Sequence, residues 1–307
     1  MQIFHNVHEL IGNTPVVEIS QFPLKQGVRL FAKLEYLNPG GSVKDRLGME
    51  LLEDAFQSGK LRKGGTLIEP TAGNTGIGLA LAAINHDINV LLVVPEKFSI
   101  EKQTIMKALG ASIVTTPAEK GMKGAIEKAQ ELAGVIPGAY CPQQFANRAN
   151  PATYYKTLGP ELWETMEGRI DVFIAGAGTG GTFMGTSRFL KEKNPEIKTV
   201  IVEPEGSILN GGTPGPHKTE GIGMEFLPEY MDPAYFDQIY TVSDKAAIHY
   251  VKEAAVKAGL LIGSSSGAAL FAALEEAAIA ASGSHIVVVF PDGSERYLSK
   301  KIYEGGV

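Results

Sequence analysis

The sequence has a single cysteine, no long apolar run and no excess of positive charge. Cys141 is the only cysteine among 307 residues, which excludes an intrachain disulfide and is typical of a reducing compartment. No apolar run approaches the roughly 20 residues that a membrane-spanning helix needs. The formal net charge is -6, and lysine and arginine do not cluster. We therefore predict no nucleic-acid partner and no membrane partner, and we expect a cytoplasmic protein.

Glycine is abundant, and short apolar runs alternate with amphipathic stretches. The runs at residues 90–94 and 286–290 are continuously apolar, a pattern that favours parallel strands covered on both faces. Strands that alternate with helices predict an α/β fold with two open, mostly parallel-sheet domains and helices on both faces. We assign residues 45–147 to a smaller domain, and residues 1–44 plus 148–307 to a larger one. The irregular stretch 206–232 is long enough to predict a functional loop.

One lysine stands at a position where a helix is predicted to begin. The segment Asn38–Arg46 reads Asn-Pro-Gly-Gly-Ser-Val-Lys-Asp-Arg, so Lys44 follows a Gly-Gly turn. The positive end of a helix dipole favours loss of the proton from a nearby amine. An unprotonated lysine can act as a nucleophile and form a Schiff base. A lone lysine at such a place is more often a solvated surface charge, so the interpretation depends on other segments.

A second segment, at residues 172–182, predicts a phosphate site. It reads Val-Phe-Ile-Ala-Gly-Ala-Gly-Thr-Gly-Gly-Thr, a buried strand followed by glycines and a helix start. Bare N–H groups and the helix dipole at such a turn attract phosphate, and Thr179 and Thr182 add hydroxyl donors. The stretch Gly176–Gly181 also partly matches the dinucleotide fingerprint, with Glu203 as a candidate acid for the ribose. A nicotinamide-dependent dehydrogenase is therefore an alternative, although it gives Lys44 no role.

Two further segments complete the pattern. Thr71, Asn74 and Thr75 follow a predicted strand and open a helix, and their hydroxyl and amide groups suit a small carboxylate. An ordinary helix N-cap by Asn74 or Thr75 would use the same N–H groups. The serines at 264–266 precede another predicted helix. One of them either caps the N-terminus of that helix or offers a buried hydroxyl to a ring nitrogen. A Schiff-base lysine, a phosphate site, a carboxylate loop and such a serine together predict pyridoxal 5′-phosphate as cofactor.

The motifs Gly-Gly-Ser-Val-Lys-Asp-Arg, Thr-Ala-Gly-Asn-Thr-Gly and Gly-Thr-Gly-Gly-Thr together resemble the cysteine synthase/cystathionine β-synthase family. These are fold type II, tryptophan synthase β-like, pyridoxal-phosphate enzymes, and the likeness runs from Ile11 to Asp292. The resemblance implies a mobile smaller domain, a phosphate site on the larger domain and no metal. It implies that Lys44 anchors the cofactor and then removes the substrate α-proton as general base. It implies that the remaining cofactor contacts come from Asn74, Gly178, Thr179, Gly180, Gly181, Thr182 and Ser265. The substrate-binding residues that it implies are Thr71, Ala72, Gly73, Thr75, Gln144, Gly221, Ile222 and Gly223.

Two departures from the cysteine synthase pattern refine the expected reaction. Ala72 stands where cysteine synthases commonly have serine, and the loop Gly206–Gly223 is distinctive. Together with Gly40-Gly41 and Glu220–Glu225, these features are most similar to the bacterial O-acetylserine-dependent cystathionine β-synthases of reverse transsulfuration. The resemblance implies a homodimer that exchanges the acetoxy group of O-acetylserine for homocysteine, giving cystathionine and acetate. Cysteine formation from O-acetylserine and sulfide is the first alternative, and a non-catalytic binding protein, which would have no use for Lys44, is another.

Overall fold

The computed structural model describes residues 3–96 and 98–304. These residues form two compact units. One combines the described residues up to Ile11 with Lys44–Asn150, and the other combines Gly12–Val43 with the described residues from Pro151 onward. The contact-based division thus places the first eleven residues and Lys44 with the smaller unit, whereas the sequence prediction placed them with the larger one. No described helix is both long enough and apolar enough to cross a membrane.

The strands and α-helices follow one another in a largely alternating order. The strands are β1 (Val16–Glu18), β2 (Arg29–Leu34), β3 (Thr66–Pro70), β4 (Asn89–Pro95), β5 (Ser112–Thr116), β6 (Ala139–Tyr140), β7 (Val172–Gly176), β8 (Lys198–Pro204), β9 (Gln238–Val242) and β10 (His285–Phe290). The helices are α1 (Lys44–Gln57), α2 (Asn74–Ala82), α3 (Ile100–Ala108), α4 (Gly121–Val135), α5 (Ala149–Lys156), α6 (Leu158–Thr165), α7 (Gly181–Lys193), α8 (Asp244–Ala258) and α9 (Ser264–Ile279).

The smaller unit is built on a four-stranded parallel sheet. Its strand order is β5-β4-β3-β6, and Leu67 pairs with Val90 at the centre. The two central strands are rich in Leu, Ile and Val because helices cover both of their faces. Ligands bind at the carboxyl ends of the strands in such sheets, and β3 ends there at Pro70, just before the predicted carboxylate loop.

The larger unit is built on a six-stranded sheet in the order β1-β2-β10-β7-β8-β9. All neighbouring pairs are parallel except β1 and β2, which are antiparallel. The helix α9 is almost entirely buried against this sheet, and alanines such as Ala268 and Ala272 form much of its surface. Small side chains let a helix approach closely, and this close approach fixes the position of the serines in its first turn.

The predicted fold with two open, mostly parallel sheets is confirmed. Apolar runs do not predict three of the strands: β1 and β6, which are short, and β9, which mixes polar and apolar residues. The sequence pattern alone predicts one helix over residues 153–166, but the chain forms two helices there, α5 and α6. Pro160 explains the break: it has no N–H, and its ring would clash with the carbonyl of Lys156, where α5 ends.

Candidate active site

Lys44 is the first residue of α1, and a close crossing of α1 with α2 fixes its backbone. A Cβ built on Gly48 would lie 2.2 Å from the carbonyl carbon and oxygen of Gly78. A Cβ built on Gly78 would lie 2.3 Å from the carbonyl oxygen of Lys44. Only glycine allows this approach, so two glycines place the start of α1 one turn from Asn74, where α2 begins. The lysine side chain itself is half-buried.

The loop between β3 and α2 is held by the hydroxyl of Thr71 and by the conformation of Gly73. Gly73 has φ +141 and ψ -69, a conformation open only to glycine. The hydroxyl of Thr71 accepts hydrogen bonds from the N–H groups of Gly73 (2.9 Å) and Gly76 (3.2 Å). The N-cap position is Gly73, and the capping hydroxyl is that of Thr71, so the alternative of an N-cap at Asn74 or Thr75 is wrong.

Gln144 lies beside this loop although it is distant in sequence. The Thr75 hydroxyl donates to Gln144 Oε1 at 2.7 Å, and Gln144 Nε2 donates to the carbonyl of Pro70 at 3.0 Å. The main-chain N–H groups of Gln143 and Gln144 donate to the carboxylate of Glu69, each at 2.9 Å. The predicted substrate-binding residues Thr71, Ala72, Gly73, Thr75 and Gln144 are thus brought together in the smaller unit.

In the larger unit, β7 leads through a glycine-rich turn into α7. Gly180 is the N-cap of α7 in the left-handed conformation, with φ +81, and it has no side chain to cap the helix. A Cβ at Gly180 would lie 2.0 Å from the sulfur of Met231. Thr179 and Thr182 are buried in this turn, and the Thr179 carbonyl accepts the Tyr230 hydroxyl at 2.8 Å. The N–H of Gly181, the first residue of α7, makes only a long contact of 3.5 Å with the Thr179 hydroxyl, and a helix start of this kind suits the predicted anion.

The loop Gly221–Gly223 packs directly on this turn. The N–H of Gly223 donates to the carbonyl of Ala177 at 2.8 Å, and a Cβ at Gly178 would lie 2.3 Å from the carbonyl oxygen of Gly221. Ser265 also lies next to Gly221: a Cβ built on Gly221 would be 3.5 Å from the hydroxyl oxygen of Ser265. The predicted residues of the larger unit, from the turn after β7 to the start of α9, thus form one cluster.

A comparison with protein-family models identifies this arrangement. Residues 7–292 match the family described as pyridoxal-phosphate dependent enzyme. The chain belongs to this family. Its cofactor is therefore pyridoxal 5′-phosphate, as the sequence predicts, and the family match spans both units.

Individual relatives of known structure or curated name agree with this assignment. An O-acetylserine-dependent cystathionine β-synthase of Bacillus subtilis is 62% identical over 307 residues, which cover 100% of both chains. The crystal structure of an O-acetylserine-dependent cystathionine β-synthase from Helicobacter pylori matches with a TM-score of 0.96 at 52% identity, covering 99% of this chain and 100% of that one. A cysteine synthase of H. pylori is 52% identical over 99% of this chain and 100% of its own length. The resemblance stated from the motifs is confirmed.

The larger unit fits pyridoxal phosphate at two points. Ser265 is 1% exposed, and its hydroxyl has no hydrogen-bond partner among the described residues. A buried hydroxyl without a partner costs free energy, so a ligand atom such as a ring nitrogen would satisfy it. The turn Gly178–Thr182 excludes side chains at Gly178 and Gly180 and leads into the N-terminus of α7, which suits a phosphate. The serines 264–266 form the first turn of α9, whose N-cap is Gly263, so the prediction that they precede the helix is wrong.

Glu203, the candidate acid of the nicotinamide alternative, has a structural role. Glu203 is completely buried, and its carboxylate accepts hydrogen bonds from the N–H groups of Leu209 and Asn210 and from the Thr241 hydroxyl. It anchors the start of the loop 206–232, and together with the family assignment this overturns the nicotinamide alternative. Burial raises the pKa of the Cys141 thiol to about 12, so this cysteine stays protonated and is a poor nucleophile.

Sequence reasoning missed the residues that hold the predicted ones in place. Glu69 is a charged residue type inside an apolar strand, directly before a proline, and this contrast is the signal that could have marked it. Arg296 is 3% exposed and donates to the carbonyl of Gly40, in the turn that precedes Lys44. Nothing in the local sequence around Arg296 indicates that contact.

Proposed function

We propose that this protein catalyses replacement of the acetoxy group of O-acetylserine by the thiol of homocysteine, giving cystathionine and acetate. The observation that carries the proposal is the full-length 62% identity to the B. subtilis enzyme of that name, in a chain that retains Lys44, the carboxylate loop and the phosphate turn. In the balanced reaction a carbon–sulfur bond forms, the β-carbon–oxygen bond breaks, and the thiol proton is released with acetate.

The residues divide between binding and proton transfer. Lys44 would hold the cofactor through its amine, and the freed Nζ would take the substrate α-proton as general base. The loop with Thr71, Ala72, Gly73 and Thr75, together with Gln144, binds the substrate carboxylate through N–H and side-chain donors. Bound pyridoxal phosphate supplies an electron-withdrawing ring that stabilises negative charge at the substrate α-carbon.

The larger unit holds and tunes the cofactor. Gly178, Thr179, Gly180, Gly181 and Thr182 bind its phosphate, and Ser265 offers a neutral hydroxyl to its ring nitrogen. Because a serine carries no charge, it does not hold that nitrogen protonated as an aspartate would. We propose that this favours loss of the β-substituent over transamination. In the smaller unit, Asn74 would donate to the cofactor's phenolic oxygen. In the larger unit, Gly221, Ile222 and Gly223 would line the entrance.

Absorbance and turnover test the assignment. The purified protein is expected to show a visible absorbance band that Lys44→Ala abolishes. A colourless wild-type protein with normal folding would contradict it. Steady-state rates with O-acetylserine and either homocysteine or sulfide then compare the two thiols, and a higher kcat/KM with homocysteine is expected.

Cysteine synthesis from sulfide is the second candidate, because the H. pylori relative at 52% identity is named cysteine synthase. A higher kcat/KM with sulfide would establish it in place of the first. We also propose a homodimer in the cytoplasm, on the family resemblance. Light scattering of the purified protein tests the dimer, and fractionation of cells tests the location.

A further inference from the structure

Glu69 is the buried acid beneath the carboxylate loop. It is the penultimate residue of β3 and is completely buried. Its Oε2 accepts the main-chain N–H of Gln143, and its Oε1 accepts that of Gln144, each at 2.9 Å. The two bonds join the end of β3 to a segment 74 residues later in the chain.

The segment that Glu69 holds is strained. Gln143 has φ +59, in the left-handed region that residues with a side chain rarely adopt. Such conformations persist only where surrounding contacts hold them. The two hydrogen bonds to Glu69 are contacts of that kind, because the turn at Gln143 directs two successive N–H groups to the same carboxylate.

The turn determines where the Gln144 side chain lies. Gln144 Nε2 contacts the Pro70 carbonyl, and its Oε1 accepts the Thr75 hydroxyl at 2.7 Å. Its carbonyl oxygen accepts Asn150 Nδ2 at 2.8 Å. A continuous set of hydrogen bonds therefore runs from Glu69 through Gln144 to Thr75 in the first turn of α2.

We propose that Glu69 is a positioning residue for substrate recognition: it fixes the left-handed turn at Gln143 and so directs the Gln144 amide toward Thr75. This inference rests on the proposed function, since it assigns Gln144 and Thr75 to the substrate carboxylate. Glu69 does not itself touch the substrate. It acts by keeping the carboxylate-binding groups in one arrangement before the substrate arrives, which reduces the ordering cost of binding.

The surroundings of Glu69 make its charge sensitive to pH. Burial raises its pKa to about 8, against the opposing effect of the N–H groups of Gln144 and Gln143. The titratable groups that face Glu69 are those of Tyr140, in β6, and Cys141, the residue after it. The charge of Glu69 contributes to raising the pKa of both. Its register partner on β4 is the uncharged Leu92. An ionised carboxylate accepts both N–H groups better than a neutral one, so the turn tightens as pH rises through about 8.

The test uses Glu69→Gln in the cofactor-loaded enzyme. The variant keeps the shape but sets an NH₂ group against an N–H donor, so one of the two hydrogen bonds is lost. Amide hydrogen exchange of the peptide containing Gln143 and Gln144 is expected to accelerate at least tenfold at pH 8.5, and less at pH 6.5. The KM for O-acetylserine is expected to rise about tenfold with kcat within twofold, as for a residue that supports binding.

Two further variants make the result specific. Gln143→Gly relieves the left-handed strain, so adding it to Glu69→Gln is expected to restore slow exchange and most of the KM. Glu276→Gln removes another buried acid, paired with Lys198 in the larger unit, and is expected to leave both measurements unchanged.

Unchanged exchange and KM in Glu69→Gln would overturn the proposal, as would an equal rise in KM in Glu276→Gln. A wild-type protein that does not turn over O-acetylserine would instead defeat the proposed function. In that case the exchange rates still decide whether Glu69 fixes the turn.

Discussion

At the residue scale, the hydroxyl of Ser265 differs from that of Ser207, another buried serine of the same unit. It has no hydrogen-bond partner among the described residues, whereas the Ser207 hydroxyl accepts the N–H of Met224 at 2.9 Å. Both side chains are almost fully buried. A buried polar atom without a partner destabilises the cofactor-free protein, and this is the pattern expected of a group reserved for a ligand.

Replacing each serine by alanine separates these two roles. In the cofactor-free protein, Ser265→Ala is expected to leave the free energy of unfolding unchanged or to raise it by up to about 1 kcal/mol, because it removes an unsatisfied group. Ser207→Ala is expected to lower it by about 1–3 kcal/mol, because the Met224 N–H loses its acceptor. Chemical denaturation measures both. Equal losses in the two variants would contradict a ligand role for Ser265.

The same variants report on cofactor binding. Pyridoxal phosphate that binds the folded protein raises its melting temperature by mass action. That increase is expected to be smaller in Ser265→Ala than in the wild type, and unchanged in Ser207→Ala. Calorimetry of the loaded and cofactor-free proteins gives the comparison.

The sequence indicates individual candidate site residues where a short motif determines the backbone. Lys44 and the glycine-rich turns belong to this group, because glycine, threonine and a helix start in fixed order define the local conformation. Glu69 could not be predicted in the same way. Its partners are the N–H groups of Gln143 and Gln144, and only the folded sheet brings these groups to the end of β3.

At the element scale, the position of Lys44 depends on the crossing of α1 and α2. The glycines Gly48 and Gly78 let the two backbones touch, and neither helix can accept a Cβ there without moving. Gly134, in α4, offers a contrast: it is exposed, and a Cβ at this position would meet nothing within 4 Å.

Alanine at Gly48 and alanine at Gly134 are expected to have opposite effects on stability. Gly48→Ala would place its methyl group 2.2 Å from a carbonyl and lower the free energy of unfolding by about 1–3 kcal/mol or more. It would also displace the start of α1 and weaken the visible absorbance due to Lys44. Gly134→Ala is expected to stabilise the protein by about 0.5–1 kcal/mol and to leave the spectrum unchanged. A stable Gly48→Ala protein with the wild-type spectrum would refute this role for the crossing.

Most elements could be predicted because apolar runs indicate buried strands directly. The exceptions have physical reasons. The strands β1 and β6 have three and two residues, too few to show a pattern. The division between α5 and α6 comes from Pro160, whose effect on the carbonyl four residues earlier outweighs the continuous helical pattern.

At the scale of the whole molecule, each unit contains one residue whose labelling or fluorescence can report the unfolding of that unit. The only cysteine, Cys141, lies in the smaller unit, and the only tryptophan, Trp163, lies in α6 of the larger unit. The larger unit also has the more extensive core, in which residues such as Ile174, Val288 and Phe290 are completely buried. Among the described residues, the smaller unit has far fewer buried apolar side chains than the larger one.

We expect the smaller unit of the cofactor-free protein to open at a lower urea concentration, because it buries less apolar surface. Labelling of Cys141 by iodoacetamide in pulses should therefore reach its midpoint before Trp163 fluorescence does. The folded protein should resist labelling, since the thiol is buried and protonated. Coincident curves would show that both units unfold as one cooperative body.

The buried carboxyl of Glu69 implies that folding takes up a proton from the solvent. Its pKa is about 8 in the folded chain, against an ordinary value of 4.5. Between these values the folded state holds a proton that the unfolded state does not, so the stability due to this group falls as pH rises from about 4.5 to about 8.

In calorimetry near pH 6.5, unfolding of the wild type should release about one proton more than unfolding of Glu69→Gln. The apparent unfolding enthalpy should therefore change with the ionisation enthalpy of the buffer more steeply in the wild type. Equal buffer dependence in the two proteins would show that Glu69 stays ionised. Refolding at neutral pH therefore takes up a proton at Glu69. The pH of a weakly buffered solution then reports when this carboxyl becomes buried beneath the loop that is to bind the substrate.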